Sequence, residues 1–519
     1  MVYYPVIGLE IHTELNTKSK MFCSCLNDPD EKRPNTNICP VCLGHPGTLP
    51  VINEEAIKKV IKTGLALNCE VPDFSKFDRK NYFYPDLPKG YQISQYDAPL
   101  CKEGYLEIPI VSENNEADKF QMTNDKIQIN SKIQNSKIKK IRIRRVHLEE
   151  DTGRLVHPAG ANFSLVDFNR AGIPLMELVT EPDIRSGGEA RQFAEELQLI
   201  LRYLDISQAD MEKGQLRVEV NISLTSADPG DNPDMQKLGT KVEIKNLNSF
   251  RSVERGINYE IERQQDILDS GRKVIQETRG WNEVRGITVG QREKEAAHDY
   301  RYFPEPDLPP LHLTKEEVEK IRPEIPELPQ AKRQRLLSEY QLEEKAVEIF
   351  VRNKELGEYF EKVVSEFDPR LKQEKLFELI KLAVNYLTTD LLGLLKEKSV
   401  ADRDFLITPE NFAEFITLIH QGRISSPIAK TVLPKMFMTG ADPSHIIEES
   451  GLSLVTDEKE IGEAVQRVIA KKPQAVADYQ KGKENALQFL VGQIMAETKG
   501  KASPPIIRDI LIKTLTKTK

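Results

Sequence analysis

Two short segments carry side chains whose types and spacing could do chemistry. In VIGLEIHTEL, residues 6–15, an extended chain puts Gly8, Glu10, His12 and Glu14 on one face and Leu9, Ile11 and Leu15 on the other. Two readings stay open on this segment alone. It is either a half-buried strand whose polar face meets solvent, or a strand that offers two carboxylates and an imidazole to a cation. A second segment, RIRRVHLEEDTGR (142–154), ends a β-like run on three successive acids, Glu149, Glu150 and Asp151, followed by a glycine turn. Like charges so crowded repel unless they are solvated or share a cation. Carboxylates from two strands, with room left for water and phosphate oxygens, suit Mg²⁺. Such an ion could bridge the β- and γ-phosphates of ATP. Glu219 in LRVEVNIS and Glu243 in KVEIKNLN are further acids in strand-like context. The chain has no phosphate-loop or kinase glycine-rich motif, so an ATP site would be of another type.

The cysteines form a separate constellation. Cys23-Ser-Cys25 is followed by thirteen residues and then Cys39-Pro-Val-Cys42. A CxC paired with a CxxC on a tight turn can complete a tetrahedral Cys₄ site, so structural zinc is favoured over free thiols. Four thiolates leave no open coordination position, which argues against catalysis at that ion. Cys69 and Cys101 stand alone and read as ordinary buried thiols.

These residues must be positioned by a chain of 519 residues, enough for about two to four domains. The net charge of −8 means that any nucleic-acid contact must come from locally focused basic residues. Mean hydropathy is −0.47 and no apolar run is long enough to span a bilayer. The N-terminus, with no basic flank, does not read as a signal peptide, so a cytoplasmic, membrane-free location is expected. Short β-like runs and aromatic turns fill 1–112. Between about 113 and 139 the composition shifts to Asn, Lys, Ile and Gln, which reads as a surface insertion such as an extended hairpin. From 140 to 300, strands such as IRIRRVHL, LRVEVNISL and KVEIKNL alternate with helices predicted over 188–204 and 250–271. The proline-rich YRYFPEPDLPPL marks a domain boundary. Beyond 315 the pattern is helical, with an apolar helix over 376–396 and another starting on Thr408 and Pro409 and stopping near Gly422. Lys499 to Lys519 holds Lys499, Lys501, Arg508, Lys513, Lys517 and Lys519 against Asp509, either a solvated tail or a phosphate-contacting surface.

The run FDRKNYFYPDLPKGYQISQYDAPL (77–100), with VIGLEIHTEL, RVHLEEDTGR, DFNRAGIPLMELVTEPDIRS, KVEIKNLNSF, QETRGW and DYRYFPEPDLPPL, strongly resembles the B subunit of the Asp/Glu-tRNA(Asn/Gln) amidotransferase, the GatB family. ALQFLVGQIMAETKG is similar to that family's tail, so the likeness covers essentially the whole chain. The resemblance implies an α+β multidomain fold: a β-rich cradle domain related to glutamine synthetase over 1–312, a helical domain over 313–405 and a YqeY-type tail domain over 406–519 that binds tRNA. It implies a carbon–nitrogen ligase with glutamine as amido donor. ATP and Mg²⁺ would phosphorylate the side-chain carboxylate of misacylated Glu-tRNA(Gln) or Asp-tRNA(Asn), and ammonia would then displace phosphate. The ammonia would come through a polar channel from a partner A subunit, within a heterotrimer completed by a small C subunit.

Carried over residue by residue, the resemblance makes Glu10, His12 and Glu150 the leading magnesium ligands, with Glu149 the second choice and a candidate for another ion. Glu10, His12, Glu150 and Lys89 are then the expected catalytic residues. Arg79, Lys80, Asn81, Lys89 and Tyr91 are expected around the aminoacylated tRNA end, and Asn169 and Arg170 as phosphate or carboxylate contacts. Each of these could instead be a cradle residue held in a salt bridge. Two features depart from the family: the 113–139 insertion replaces a short loop, and some members lack the four cysteines, which makes zinc a stability device. The chain shows no Cys–His or Ser-Ser-Lys glutaminase signature, so the ammonia source is a partner. The archaeal E-type subunit is a poor fit, because the insertion is too short for its extra domain. A non-catalytic tRNA-binding scaffold is the remaining alternative, and it would have little use for crowded carboxylates.

Overall fold

A computed structural model of the protein describes residues 2–110, 137–227, 238–293, 300–396, 398–452, 458–480, 483–498 and 504–517. They form two compact units, one ending at Pro329 and one beginning at Gln330. Among the described residues, the first unit is organised by an eight-stranded sheet. Its strands are β1 (Tyr4–Glu14), β2 (Cys101–Ile110), β3 (Lys137–Glu150), β4 (Pro174–Thr180), β5 (Leu216–Thr225), β6 (Val242–Leu247), β7 (Glu277–Asn282) and β8 (Ile287–Glu293). The spatial order is β8-β7-β6-β5-β1-β4-β3-β2, antiparallel throughout except for the parallel pair β6–β7.

Period-two alternation in β1 decides what each face of this sheet does. Leu9 and Ile11 are fully buried in a core shared with Leu178 of β4 and Val220 of β5. The same core takes Val60 of helix α1 (Glu54–Ala66), Phe193 and Leu197 of α2 (Gly187–Tyr203) and Val253 of α3 (Phe250–Asp269). All three helices start on side-chain caps: Asn53, Ser186 and Ser249 accept hydrogen bonds from the backbone N–H of Ala56, Glu189 and Ser252. The helices lie on the apolar face, so the opposite face is free to carry charge.

A small three-stranded sheet, Phe303–Pro304, Asp78–Asn81 and Tyr91–Ser94, stands at the end of β3. The proline-rich run lies inside the first unit, where Phe303 pairs with Arg79 and Leu311 with Ser75. Of the stretch read as an insertion, only 137–139 fall among the described residues, where they begin β3. The reading of the rest as a surface hairpin lies outside them.

The second unit is helical in every regular element described. Phe350 and Phe360 stack at 4.5 Å in its core. The helix expected at Thr408 forms as Pro409–His420, capped by the Thr408 hydroxyl on Asn411 N–H and followed by Gly422 at φ +68°. The helix expected over 376–396 is not continuous. Gln373–Asn385 passes into a wide π-helical turn, Tyr386–Leu391. There Thr388 and Thr389 return hydroxyl hydrogen bonds to Val384 and Asn385 carbonyls, the competition with the helix ladder that threonine brings. Four C-terminal helices enclose a core of Val465, Leu490, Ile494, Ile507 and Leu511. Arg508 and Lys513 lie on the last of them, while Lys499, Lys501 and Lys519 fall outside the described residues. No described helix is long and apolar enough to cross a membrane.

Candidate functional site

The polar face of β1 meets its neighbours in one row of charge. His12 stands opposite Arg217 of β5 on one side and Glu177 of β4 on the other, and Glu177 stands opposite His147 of β3. Glu10 stands opposite Glu219. His12 Nε2 is 3.4 Å from Glu177 Oε2, 3.6 Å from Glu149 Oε1 and 3.9 Å from Glu10 Oε1. Glu177 also lies 3.4 Å from His147 Nε2 and 3.2 Å from Arg145. The ligating atoms of Glu10, His12 and Glu177 fall within 4.8 Å of one another, and so do those of His147, Glu149 and Glu177.

Crowding shifts these groups in opposite directions. Burial disfavours a charged His12, but Glu177, Glu149 and Glu10 outweigh it and push its pKa up to about 9. Burial and the neighbouring Glu177 charge raise Glu10. Glu177 is held well below the usual carboxylate range, because His147 and His12 overcome the cost of burying it. Three carboxylates and two imidazoles whose ligating atoms converge within 4.8 Å in overlapping groups of three fit a divalent cation. The oxygens suit magnesium, and the imidazole is a donor that manganese or zinc would also accept.

The three successive acids have different partners. Glu149 joins the cluster and accepts from the Ser94 hydroxyl at 3.1 Å. Glu150, expected as a leading ligand, falls outside both groups of converging ligands: it pairs with Lys89 at 2.5 Å and accepts from Ile93 N–H at 2.9 Å. Asp151 is bound by Arg217 at 2.8 Å and lies 3.4 Å from Arg170, which together outweigh burial and lower its pKa. Glu14 lies beside Asp151, and burial together with that charge pushes it up to about 8. Glu219 and Glu243 are engaged by Lys245 at 2.6 and 3.3 Å.

The residues expected around a tRNA end divide by strand face. Arg79 is committed to buried Glu305 through two 2.7 Å hydrogen bonds and lies 4.3 Å from the Tyr91 ring. Asn81 donates to the Arg301 carbonyl. Asn169 holds the loop before the cysteine turn, accepting from Thr36 and Asn37 N–H and donating to the Arg33 carbonyl. Arg170 also donates to the Thr152 and Gly153 carbonyls. Lys80 faces the other way, toward Tyr300 and Tyr82, with ring centroids at 5.1 and 6.0 Å.

The four cysteines of CxC and CxxC come together, with all four sulfurs within 4.8 Å of one another. Cys39 N–H donates to Cys42 Sγ at 3.1 Å and Lys20 Nζ lies 3.9 Å from the same sulfur. A hydrogen bond from Cys23, the Cys39 N–H and the Lys20 charge hold the Cys42 thiol at about 5 despite its burial. A convergent, thiolate-stabilising Cys₄ set fits zinc.

Two members of the charged row, Glu177 and His147, were not anticipated. The signal for Glu177 is present: it is a single acid inside the otherwise apolar PLMELV, where a buried strand has no ordinary place for a charge.

Comparison with known proteins bears on what this site serves. The sequence pattern of the GatB/GatE catalytic domain matches residues 5–319, and that of the GatB domain matches residues 358–515. The chain is 46% identical over 517 residues to the B subunit of the aspartyl/glutamyl-tRNA(Asn/Gln) amidotransferase of Thermoanaerobacter pseudethanolicus, with 100% of both chains covered. It is 47% identical over 519 residues to that of Thermotoga maritima, with 99% of each covered. The Persephonella marina protein of the same description is 47% identical over 511 residues, covering 98% of this chain and 99% of its own.

Proposed function

This chain belongs to the GatB family of aspartyl/glutamyl-tRNA(Asn/Gln) amidotransferase B subunits, and from that membership we propose that it binds misacylated tRNA and activates its side-chain carboxylate with ATP. The observation that carries the reading is the convergence of Glu10, His12, Glu149 and Glu177 beside Lys80 on the polar face of the sheet.

The reaction takes two balanced steps. A side-chain carboxylate oxygen of Glu-tRNA(Gln) or Asp-tRNA(Asn) attacks the γ-phosphorus of ATP. The bond to the β–γ bridging oxygen breaks, and ADP leaves with that electron pair. Ammonia then attacks the carbonyl carbon of the acyl phosphate, the carbon–oxygen bond breaks, and a proton passes from nitrogen to the departing phosphate. A carboxylate is a poor electrophile, so the acyl phosphate supplies the leaving group that direct amidation lacks. Glu10, His12, Glu149 and Glu177 would hold magnesium, which when bound offsets the charge of the phosphates. Arg145 and His147 fix the Glu177 carboxylate in place. Glu150, engaged by Lys89, and Asp151, engaged by Arg217, shape the walls around it.

Ammonia is supplied by a glutaminase A subunit, with a small C subunit completing a cytoplasmic heterotrimer. The Cys₄ zinc is structural. The division into a cradle over 1–312, a helical domain over 313–405 and a tRNA-binding tail over 406–519 completes the proposal. The test uses the assembled complex with ATP, Mg²⁺, ammonium and either Glu-tRNA(Gln) or Asp-tRNA(Asn), and follows ADP and amidated tRNA. Both products are expected to depend on the misacylated tRNA and to vanish in Glu10→Ala. Full activity in Glu10→Ala would leave a scaffold role instead.

A further inference from the structure

The basic side chains around the charged row are nearly all committed. Arg145 holds Glu177 at 3.2 Å, Arg217 holds Asp151 at 2.8 Å, Lys245 holds Glu219 at 2.6 Å and Lys89 holds Glu150 at 2.5 Å. Lys80 is different. Among the described residues its ammonium has no carboxylate at ion-pair distance and no hydrogen-bond acceptor; its close neighbours are the Tyr300 and Tyr82 rings. These belong to a continuous tyrosine wall. Tyr82 meets Tyr300 edge-on at 5.9 Å, Tyr300 meets Tyr302 at 6.1 Å, and Tyr302 stacks on Tyr96 at 4.2 Å. Tyr96 is exposed, so the wall runs from solvent inward to the lysine.

The alternation of the Asp78–Asn81 strand produces this arrangement. Arg79 turns to Glu305 on one face, and Lys80 turns to the other, toward the acid cluster. Burial works against the charged amine, but Glu149, Tyr302 and Glu177 keep it protonated. Lys80 is partly exposed, and with no ion pair among the described residues its ammonium can donate to an incoming anion. Glu149 and Glu177 act on it only at longer range, which leaves the ammonium able to pair with an anion brought by the substrates.

We propose that Lys80 is a catalytic residue whose ammonium contacts the γ-phosphoryl group as it passes from ATP to the side-chain carboxylate, with Tyr82, Tyr300 and Tyr302 excluding water from that contact. This rests on the phosphorylation reading above. As the bond to ADP breaks, charge shifts toward the β–γ bridging oxygen and stays spread over the phosphoryl oxygens, and a preorganised ammonium beside the group stabilises that charge without reorganising. Lys80 gives up no proton; its charge stays beside the phosphoryl group while ADP departs and the carboxylate oxygen bonds.

The experiment compares wild type, Lys80→Met, Lys80→Gln and Lys80→Arg in the assembled complex with its partner subunits. The readout is ADP formation driven by misacylated tRNA with ammonium present, resolved into kcat and KM for the tRNA. Loss of one preorganised donor is expected to lower kcat by roughly 100- to 1,000-fold in Lys80→Met and Lys80→Gln. KM should change little, and Lys80→Arg should recover part of the loss. Near-normal kcat in either neutral variant overturns the assignment, and so does a loss confined to KM. Glutaminase activity of the complex reports assembly, and the Gln and Arg variants carry the test if Lys80→Met fails to assemble. A wild-type complex without tRNA-dependent ADP formation would instead overturn the phosphorylation reading itself.

Discussion

Cation binding at the charged row should release a proton, and the pH dependence of that release can be worked from the geometry. His12 sits among Glu177, Glu149 and Glu10, which push its pKa up to about 9 against the effect of burial. An imidazole must be neutral to ligate a metal. Below about pH 9 the incoming cation therefore has to displace a proton. At pH 7 that lies two units away, about 2.7 kcal/mol at 1.36 kcal/mol per unit, or roughly 100-fold in affinity. The raised pKa of Glu10 acts in the same direction. Mn²⁺ titrated against the assembled complex and followed by the resonance of free ion should bind about ten times more tightly at pH 8 than at pH 7. The curve should flatten above pH 9. Glu177→Gln removes the main charge that holds His12 protonated, so the steep region should move toward the ordinary histidine range while the plateau affinity falls. Binding that is flat between pH 7 and pH 8 in the wild type would refute the argument, because His12 would then be no ligand or would carry no proton to lose.

Three further outcomes follow from particular contacts. Cys39→Ser should take the zinc content of the purified chain from about one ion to nearly none by chelator titration, and lower thermal stability, while tRNA-dependent ADP formation persists at low temperature. Arg79→Ala leaves the fully buried Glu305 carboxylate without its two hydrogen bonds, so it should cost about 3–5 kcal/mol by denaturant unfolding. If Arg79 instead acted mainly on tRNA, the variant would keep its stability and lose tRNA affinity. Phe360→Ala deletes a buried ring stacked at 4.5 Å on Phe350 and should cost about 3–5 kcal/mol in unfolding of the helical unit.

Much of the scaffold was legible because single strands and helices announce themselves. The alternation of VIGLEIHTEL fixes which side of β1 is apolar, and the Thr408–Pro409 cap fixes a helix start. The cysteine spacing told which four sulfurs converge. What sequence could not supply was the pleat at the end of β3 and the register between strands. Glu149, Glu150 and Asp151 look like one acidic cluster when read in a line, yet successive side chains diverge to His12, Lys89 and Arg217. Glu177 enters the site because β4 pairs with β1 in a register that sets it opposite His12, a long-range fact. Lys80 and Lys89 likewise look equivalent in FDRKNYFYPDLPKGY. Only the fold shows that one is paired with Glu150 and the other faces the acids.

The most direct measurement of the central claim is oxygen transfer. Glu-tRNA(Gln) carrying ¹⁸O in its side-chain carboxylate is supplied to the assembled complex with ATP, Mg²⁺ and ammonium, and the inorganic phosphate released is examined by mass spectrometry. If the carboxylate is activated as an acyl phosphate, each amide formed delivers one labelled oxygen to phosphate. Amidated tRNA formed alongside unlabelled phosphate would contradict the account.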